Sequence, residues 1–289
     1  MTFDLKRGKL QAKVRAKGGE LTSLTDGDGQ EHIWEGDPAF WAGQNPILFP
    51  IVGALKDGRV DIGGKTYEMG RHGFARGMEF SPVDRGEDFV TLELRENEAA
   101  LAQYPFPFSL RVTHRLLEDG FSTTFMVENT GTAPMPFCIG GHTAIRIPEG
   151  ERFEDCELLF DEAERADTHL LTPEGMILHD RRKPMLEESG KILLRYADFA
   201  EMDTLIFSML RSGNVSLFNR KTGRSVRLDF HEFPMVAFWT KPGAPFLCLE
   251  PWHGCAAYDN ESGKFADKPF CVILQPGELK RLSYSICLE

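Results

Sequence analysis

The sequence has no run of lysine or arginine that would concentrate positive charge, and its acidic residues outnumber its basic residues by 44 to 33. Its net charge of −11 predicts that nucleic acid is not a partner, because binding to a phosphate backbone depends on clustered cations. Long apolar runs are also lacking, since no window approaches the ~18 apolar residues that span a bilayer. Residues 1–7 contain no uninterrupted apolar stretch of the kind found in secretory signals. We therefore expect a cytoplasmic protein without a membrane partner.

Cysteine is scarce, with six residues and no CxxC pair. Most of the six lie inside apolar, strand-like runs, which predicts reduced, buried thiols rather than a disulfide framework. His253 and Cys255 lie close to Cys248 in the sequence, but no second ligand pair has the spacing of a structural zinc site. The cysteine pattern therefore predicts no metal.

Two common motifs are present only in part. Residues 63–66, Gly-Gly-Lys-Thr, resemble the end of a phosphate-binding loop, but Arg59 stands where the first glycine of that motif is required, so a hairpin turn is predicted. Residues 26–31 begin like a calcium loop, but Glu31 occupies the position that needs glycine for a sharp turn. Neither a GxSxG elbow nor an HExxH helix occurs, so no motif supports a serine hydrolase or a zinc protease.

Short alternating segments, separated by 28 glycines and 17 prolines, run through the whole sequence. Apolar and polar residues alternate at 90–95, 110–116, 121–127, 226–230 and 282–286, which is typical of half-buried antiparallel strands. Long stretches with helical periodicity are few. The pattern predicts an all-β fold, a large antiparallel β-sandwich with few short helices. No linker composition divides the chain, so we expect residues 1–289 to form one domain.

Ionisable residues interrupt apolar sequence beside glycines in three stretches, at residues 70–77, 138–144 and 246–254. Glu250 follows an apolar run, where a carboxylate is costly unless it is paired or used in catalysis, and burial would raise its pKa toward that of a useful general base. His72 and His142 are weaker candidates, because a strand histidine is often a core residue. His114, on an apolar face without a neighbouring glycine, is expected to be such a core residue.

Four motifs in this order resemble those of the aldose 1-epimerase (galactose mutarotase-like) family, with the bacterial LacX-like branch the most similar. They are Asn45-Pro46-Ile47-Leu48-Phe49-Pro50-Ile51-Val52-Gly53, His72-Gly73-Phe74-Ala75-Arg76, Gly140-Gly141-His142 and Glu250-Pro251-Trp252-His253-Gly254. The resemblance runs from residues 19–21 to the final strand and so covers nearly the whole chain. It implies a galactose mutarotase-like supersandwich with a sugar-binding cleft on one sheet and with neither metal nor organic cofactor.

The resemblance also implies a reaction and a set of residues. The family interconverts α and β anomers through ring opening, in which a glutamate removes the proton of the C1 hydroxyl and a histidine protonates the ring oxygen. Carried over position by position, Glu250 resembles the base and His142 the acid, while His72 and Arg76 match positions that orient the sugar and stabilise charge. Asp203 lies where members often place an aspartate that binds sugar hydroxyls.

Two departures bear on the substrate. Thr143-Ala144-Ile145 replaces the Pro-Ala-Phe that usually follows the histidine, so the cleft wall beside the acid is expected to differ. Related sugar-phosphate epimerases carry an arginine shortly before the Asn-Pro turn, where this chain has Ala42-Gly43-Gln44. With the overall negative charge, this favours a neutral aldose. A phosphorylated or sulfonated hexose stays open, because Arg71 and Arg76 could hold an anion.

Two further classes stay open on the sequence alone. One is a carbohydrate-binding or sugar-sensing protein with the same cleft and little catalysis, because a fold does not by itself confer an activity. The other is a β-sandwich that acts in protein interaction or as an accessory to polysaccharide processing. Both a monomer and a homodimer are compatible with the sequence.

Overall fold

Twenty-three β-strands account for most of the regular structure in the computed structural model, which describes residues 1–289. They are β1 Thr2–Arg7, β2 Leu10–Arg15, β3 Glu20–Thr25, β4 Arg59–Ile62, β5 Lys65–Glu68, β6 Ser81–Arg85, β7 Phe89–Arg95, β8 Phe108–Leu116, β9 Gly120–Asn129, β10 Met135–Phe137, β11 Ile139–Gly140, β12 Thr143–Arg146, β13 Cys156–Phe160, β14 Ala166–Leu171, β15 Ile177–Leu186, β16 Lys191–Leu193, β17 Thr204–Ser208, β18 Asn214–Asn219, β19 Ser225–Asp229, β20 Met235–Trp239, β21 Phe246–His253, β22 Val272–Leu274 and β23 Leu279–Leu288.

Helices are few and short, as predicted. The two α-helices are α1 Glu98–Gln103 and α2 Tyr196–Met202, and the 3₁₀ turns are Lys56–Gly58, Ala75–Gly77, Phe153–Asp155 and Phe265–Asp267. The side chain of Asn97 caps α1 by accepting a hydrogen bond from the amide of Ala100. Neither α-helix is long and apolar enough to cross a bilayer.

One sheet has nine strands in the order β16-β13-β18-β19-β23-β9-β8-β7-β6, and every pairing in it is antiparallel. Along β7, β8 and β9 buried residues alternate with half-buried ones, so one face of each strand lies in the core. The alternating segments of the sequence therefore do form strands with one buried face. His114, on β8, is buried and bonded to Thr123 and to the carbonyl of Gly19, which confirms that it is a core histidine.

A second antiparallel sheet has the order β11-β21-β20-β17, with β12 also paired to β21. Its inner face packs against the nine-stranded sheet, with Phe238 of β20 edge-on to Phe160 of β13 at 6.0 Å between ring centroids. The interior is one cluster of 72 buried residues that extends from Phe3 to Ile286. The predicted large antiparallel β-sandwich is thus confirmed, and because both sheets share this core we propose that residues 1–289 form one domain.

Strand β21 divides its side chains between two environments. Leu247 and Leu249 belong to the main core, whereas Phe246 and Cys248 lie on the opposite face, in a small apolar cluster of their own. Because side chains alternate along a strand, Glu250 faces the same way as Cys248. The strand therefore presents its carboxylate on the outer face of the smaller sheet.

The turn and cysteine predictions also hold. Gly63 and Gly64 connect β4 to β5, and the carboxylate of Asp26 accepts hydrogen bonds from the amides of Asp28 and Gln30 in a surface turn. All six cysteines are free thiols, and all are buried except Cys271, which is half-buried.

Candidate active site

A cavity of about 210 Å³ opens on the outer face of the smaller sheet. All five residues that the sequence analysis selected line it: His72, Arg76, His142, Asp203 and Glu250. His72 lies just before the 3₁₀ turn Ala75–Gly77, and Arg76 lies within it. His142 lies in the β11–β12 connection, Asp203 directly follows α2, and Glu250 lies on β21. The fold therefore brings together residues that are far apart in the chain. His72 and Glu250, the most distant two, are 178 positions apart.

The extended segment at residues 45–53 holds the two histidine loops side by side. The amide of Leu48 donates to the carbonyl of Gly140 at 3.0 Å, and the amide of Cys138 donates to the carbonyl of Pro50 at 2.7 Å. Further along the segment, the amide of His72 donates to the carbonyl of Gly53 at 2.8 Å. This motif is therefore a backbone spacer between the loops that carry His72 and His142.

Two glycines allow the chain to carry His142 close to β21 and β23. A Cβ atom on Gly140 would lie 2.7 Å from the Trp252 ring, and one on Gly141 would lie 2.7 Å from the Tyr284 ring. Contacts this short cannot be accommodated without moving a packed aromatic ring. The Gly-Gly-His sequence is therefore required by packing, and it determines where the imidazole lies.

The His142 imidazole faces the Glu250 carboxylate, with 3.3 Å between Nε2 and Oε2. Glu250 is 1% exposed, and Ala237 stands opposite it on β20, so no neighbouring side chain on that strand shields its charge. Burial, with the charge of Asp203, raises the pKa of Glu250 well above its usual value. The carboxyl group therefore strongly favours its protonated form.

Aromatic rings enclose His142. Trp41 stacks on the imidazole with 4.9 Å between centroids, and Trp239 approaches it edge-on at 5.8 Å. Burial lowers the pKa of His142 to about 3, and the charge of Arg76 acts in the same direction. Glu250 and His142 thus form a pair that holds one proton, which burial places on the carboxyl group.

His72 lies beside this pair, with its ring edge-on to His142 at 5.6 Å between centroids. Its Nδ1 accepts a hydrogen bond from the amide of Gly53 at 3.0 Å, which assigns the proton of the neutral ring to Nε2. Burial lowers the pKa of His72 well below its usual value, and the nearby His142 and Arg76 add to the effect. His72 is therefore a neutral hydrogen-bond donor at the cavity wall. Its backbone is in the left-handed region, with φ of 66°.

Asp203 and Arg76 are the exposed members of the set. Asp203 follows α2 with φ of 62° and accepts a hydrogen bond from the hydroxyl of Thr204 at 2.9 Å. Arg76 donates from Nη2 to the carbonyl of Arg71 at 2.9 Å. Both side chains are thus oriented by bonds to their own segments, and both reach the cavity from the solvent side.

The cavity residues that were not selected from the sequence include Trp41, Trp239 and Lys241. Trp41 lies four positions before the Asn-Pro turn and Lys241 two positions beyond the end of β20, so only their nearness to these features could have pointed to them. None of residues 143–145 lines the cavity itself, but Ala144 lies in the apolar cluster against which Trp41 and Trp239 of the cavity wall pack. Thr143 faces inward and donates to Asn45 Oδ1 at 2.8 Å.

A metal could be considered at His142, Cys248 and Glu250, whose candidate ligand atoms lie within 4.8 Å of one another. Metal ligation requires the thiolate form of cysteine. Burial and the neighbouring Glu250 raise the pKa of Cys248 well above its usual value, so its thiol keeps its proton. A metal at these three groups would have to displace that proton, whereas proton transfer between His142 and Glu250 needs no such step.

Several buried polar atoms around the cavity lack a partner within the protein. They include His142 Nδ1, Glu250 Oε2 and Trp252 Nε1. A buried polar group without a hydrogen bond costs about 1–3 kcal/mol. A ligand with several hydroxyl groups could supply partners for such atoms, which is consistent with a polar, polyhydroxylated ligand.

The buried histidines make stability depend on pH. Burial lowers the pKa of His142 to about 3 and of His114 and His169 to about 4, and that of His72 falls well below 6.5. Below pH 6.5 the unfolded chain binds protons that the folded chain refuses, so stability falls as the pH drops, by up to about 2 kcal/mol per histidine at pH 5. Glu250 alone opposes this trend.

We expect the urea midpoint to be lower at pH 5 than at pH 7, and the difference to shrink in His114→Gln. An equal or higher midpoint at pH 5 would contradict the assigned burial of these rings.

Comparison with known proteins gives a consistent family match. A family model described as aldose 1-epimerase matches residues 1–287. The chain is 37% identical over 298 residues to the chromosomal LacX protein of Lactococcus lactis subsp. lactis, covering 100% of this chain and 99% of that one. The structure resembles a galactose mutarotase related enzyme from Lactobacillus acidophilus, with a TM-score of 0.95, 28% identity and coverage of 100% and 97% of the two chains. It also resembles a galactose mutarotase-like protein from Lactobacillus casei, with a TM-score of 0.93, 27% identity and full coverage of both chains.

Proposed function

Because the chain belongs to the aldose 1-epimerase family, we propose that it is an aldose 1-epimerase, which interconverts the α and β anomers of a hexose without a cofactor. The observation that carries the proposal is the pair of His142 and Glu250, whose side chains lie 3.3 Å apart at the wall of one cavity. An acid and a base at this distance can act on the two oxygen atoms attached to one anomeric carbon.

The proposed reaction needs two proton transfers. Before these transfers the one proton of the pair moves from Glu250 to His142. Glu250 then takes the proton of the C1 hydroxyl as the C1 carbonyl forms, the C1–O5 bond breaks with its electron pair moving to O5, and His142 gives O5 that proton. The product is the open-chain aldehyde. Rotation about C1–C2 presents the other face of the carbonyl, and the same transfers in reverse close the ring. No atom or electron is gained or lost, so the cycle needs no further reactant.

The environment of the pair favours these directions. A carboxylate whose pKa is raised is a stronger base, and an imidazolium whose pKa is lowered is a stronger acid. Each transfer therefore runs toward the more stable protonation state of its residue. The C1 hydroxyl would also donate a hydrogen bond to the ionised carboxylate, which favours that form in the complex.

We assign supporting roles to the three other selected residues. His72, as a neutral donor, would bind the sugar near the reacting oxygens, and Asp203 would accept hydrogen bonds from hydroxyl groups at the cavity entrance. Arg76 would stabilise negative charge that develops on oxygen during ring opening. These assignments agree with where the side chains lie along the cavity wall.

The direct test is to follow freshly dissolved α-glucose and α-galactose by polarimetry, and the exchange of their anomers at equilibrium by NMR. The proposal predicts that catalytic amounts of protein accelerate exchange over the buffer rate. Tight binding of sugars without any acceleration would instead identify a carbohydrate-binding protein. If neither neutral nor anionic aldoses bind or undergo anomer exchange, an aldose is not the ligand.

The pH dependence of kcat/KM gives a second test, because the pair must hold one proton to carry out both transfers. Acid inactivates it by adding a second proton to His142, whose pKa is lowered to about 3, so the acid limb should lie far below 6.5. Base inactivates it by removing the remaining proton, and the raised pKa of Glu250 moves that limb upward. We expect a plateau through neutral pH. An acid limb centred near pH 6.5 would contradict a buried pair.

A further inference from the structure

Three cations line the cavity without an ion-pair partner. The ammonium of Lys241 and the guanidinium groups of Arg71 and Arg76 all border it, and none lies within 4.0 Å of a carboxylate oxygen. Most arginines elsewhere in the chain do have such a partner, as the pairs of Arg95, Arg165 and Arg227 illustrate. The two arginines at the cavity therefore lack the carboxylate partner that most other arginines of the chain have.

Neutral main-chain groups hold the two arginines in place. Arg71 donates from Nη2 to the carbonyl of Glu174 at 3.1 Å, and Arg76 donates from Nη2 to the carbonyl of Arg71 at 2.9 Å. Gly175 allows the first contact, because a Cβ at that position would lie 2.2 Å from Arg71 Nη2. Each guanidinium has five N–H donors, so most donors of both groups stay free for a ligand.

The charge of the cavity is opposite to that of the whole chain. Its acidic lining residues are Asp203 and Glu250, and burial disfavours the charged form of Glu250 by raising its pKa. Three cations therefore face at most two carboxylates, in a protein with a net charge of −11. Burial lowers the pKa of Arg76, the charge of Arg71 lowers it further and that of Glu20 opposes the shift, so the two guanidinium groups repel each other. A bound anion would relieve that repulsion.

We propose that the substrate is an aldose that carries an anionic substituent, a phosphate, sulfonate or carboxylate group, and that Arg71 binds this group while Arg76 and Lys241 add positive potential in the same cavity. The inference rests on the proposed anomer exchange and names its substrate class. It replaces the expectation of a neutral aldose, which relied on the charge of the whole chain and on the missing arginine at residues 42–44. Residues 42–44 do not line the cavity, although their neighbour Trp41 does. The cations of the cavity, Arg71, Arg76 and Lys241, come from other segments of the chain.

The experiment compares kcat/KM for anomer exchange, measured by NMR, on neutral and anionic members of matched pairs. Glucose and galactose are set against their 6-phosphates, against 6-deoxy-6-sulfoglucose and against glucuronate and galacturonate, so that the arms distinguish the three kinds of anion. We expect the protein to favour at least one anionic class by about tenfold or more, since charge-assisted hydrogen bonds are roughly twice as strong as neutral ones. Inorganic phosphate should compete with the anionic substrates.

Variants locate the anion. Arg71→Gln should lower kcat/KM for the preferred anionic aldose about tenfold more than for its neutral counterpart, mainly through KM, and Arg71→Lys should recover part of the loss. The matched control is Arg152→Gln, an arginine with 75% of its side chain exposed that lies outside the cavity. The control should leave both values unchanged.

The outcomes separate this inference from the proposed function. Exchange of neutral aldoses as fast as that of every anionic one, or equal losses for both in Arg71→Gln, would overturn the anionic substrate and leave the mutarotase standing. Binding of an anionic aldose in calorimetry without exchange of any aldose, neutral or anionic, would overturn the mutarotase and retain the anion site. If no anionic aldose binds or reacts, the anion site is wrong whatever the neutral sugars do.

Discussion

Glu250→Gln is expected to lower kcat for anomer exchange by about 10²- to 10⁴-fold, the contribution typical of a positioned general base. The amide has nearly the shape of the carboxyl group but cannot take a proton from the C1 hydroxyl. Sugar binding should change far less than kcat, because the cavity keeps its form. The measurement is the NMR exchange rate at saturating sugar, with Glu149→Gln, an exposed glutamate, as the matched control. A variant that retains native kcat would exclude Glu250 as the base.

The same substitution should make the folded state more stable at alkaline pH. Because the pKa of Glu250 is raised in the folded chain, the folded state holds a proton that the unfolded state loses above about pH 4.5. That difference costs the native protein up to about 1.4 kcal/mol per pH unit until the folded group ionises, and glutamine does not titrate. Urea unfolding should therefore show an advantage of the variant that grows from pH 6 to pH 8. A constant difference would mean that the carboxyl group is not desolvated as described.

His142→Asn should also lower kcat by about 10²- to 10⁴-fold, because it removes the group that protonates the ring oxygen. The double variant with Glu250→Gln should be little slower than either single variant, since the two residues act as one unit. The control is His231→Gln, whose side chain is 59% exposed and lies outside the cavity. Multiplying losses in the double variant would contradict a coupled pair.

Because Trp41 stacks on His142, a loss of activity in His142→Asn must be distinguished from a loss of folding stability. Loss of the imidazole removes a ring that packs at 4.9 Å from the indole, so tryptophan fluorescence and urea unfolding are measured with the rates. Near-native stability together with lost kcat identifies the imidazole as part of the chemistry. A matching loss of stability and activity would assign it to packing.

The strands could be predicted from the sequence because one-sided burial leaves an alternating pattern, as in β8 and β9. The meeting of His142 and Glu250 could not be derived from that pattern. It depends on β11 and β12 pairing with β21 in a register where Gly140 faces Trp252 and Thr143 faces Leu249. Such registers are set by long-range packing, and only the family resemblance brought the two residues together beforehand.

Neither a total charge nor a short motif specifies where a side chain lies in the fold. The net charge of −11 says nothing about where cations gather, and Arg71, Arg76 and Lys241 belong to separate segments that meet only in the fold. Thr143 was interpreted as part of the cleft because it follows His142. A strand alternates its side chains, however, so the residue after a cavity-facing histidine points into the core.

The two-sided character of β21 has a practical consequence for protein engineering. Leu247 and Leu249 belong to the main core, while Cys248 and Glu250, interleaved with them, lie on the face where the cavity opens. Mutagenesis libraries can therefore vary the core-facing positions, such as 247 and 249, to increase stability and the alternate positions to change substrate selectivity. Insertions or deletions within the strand, in contrast, would exchange the two sets and should be left out of any such library.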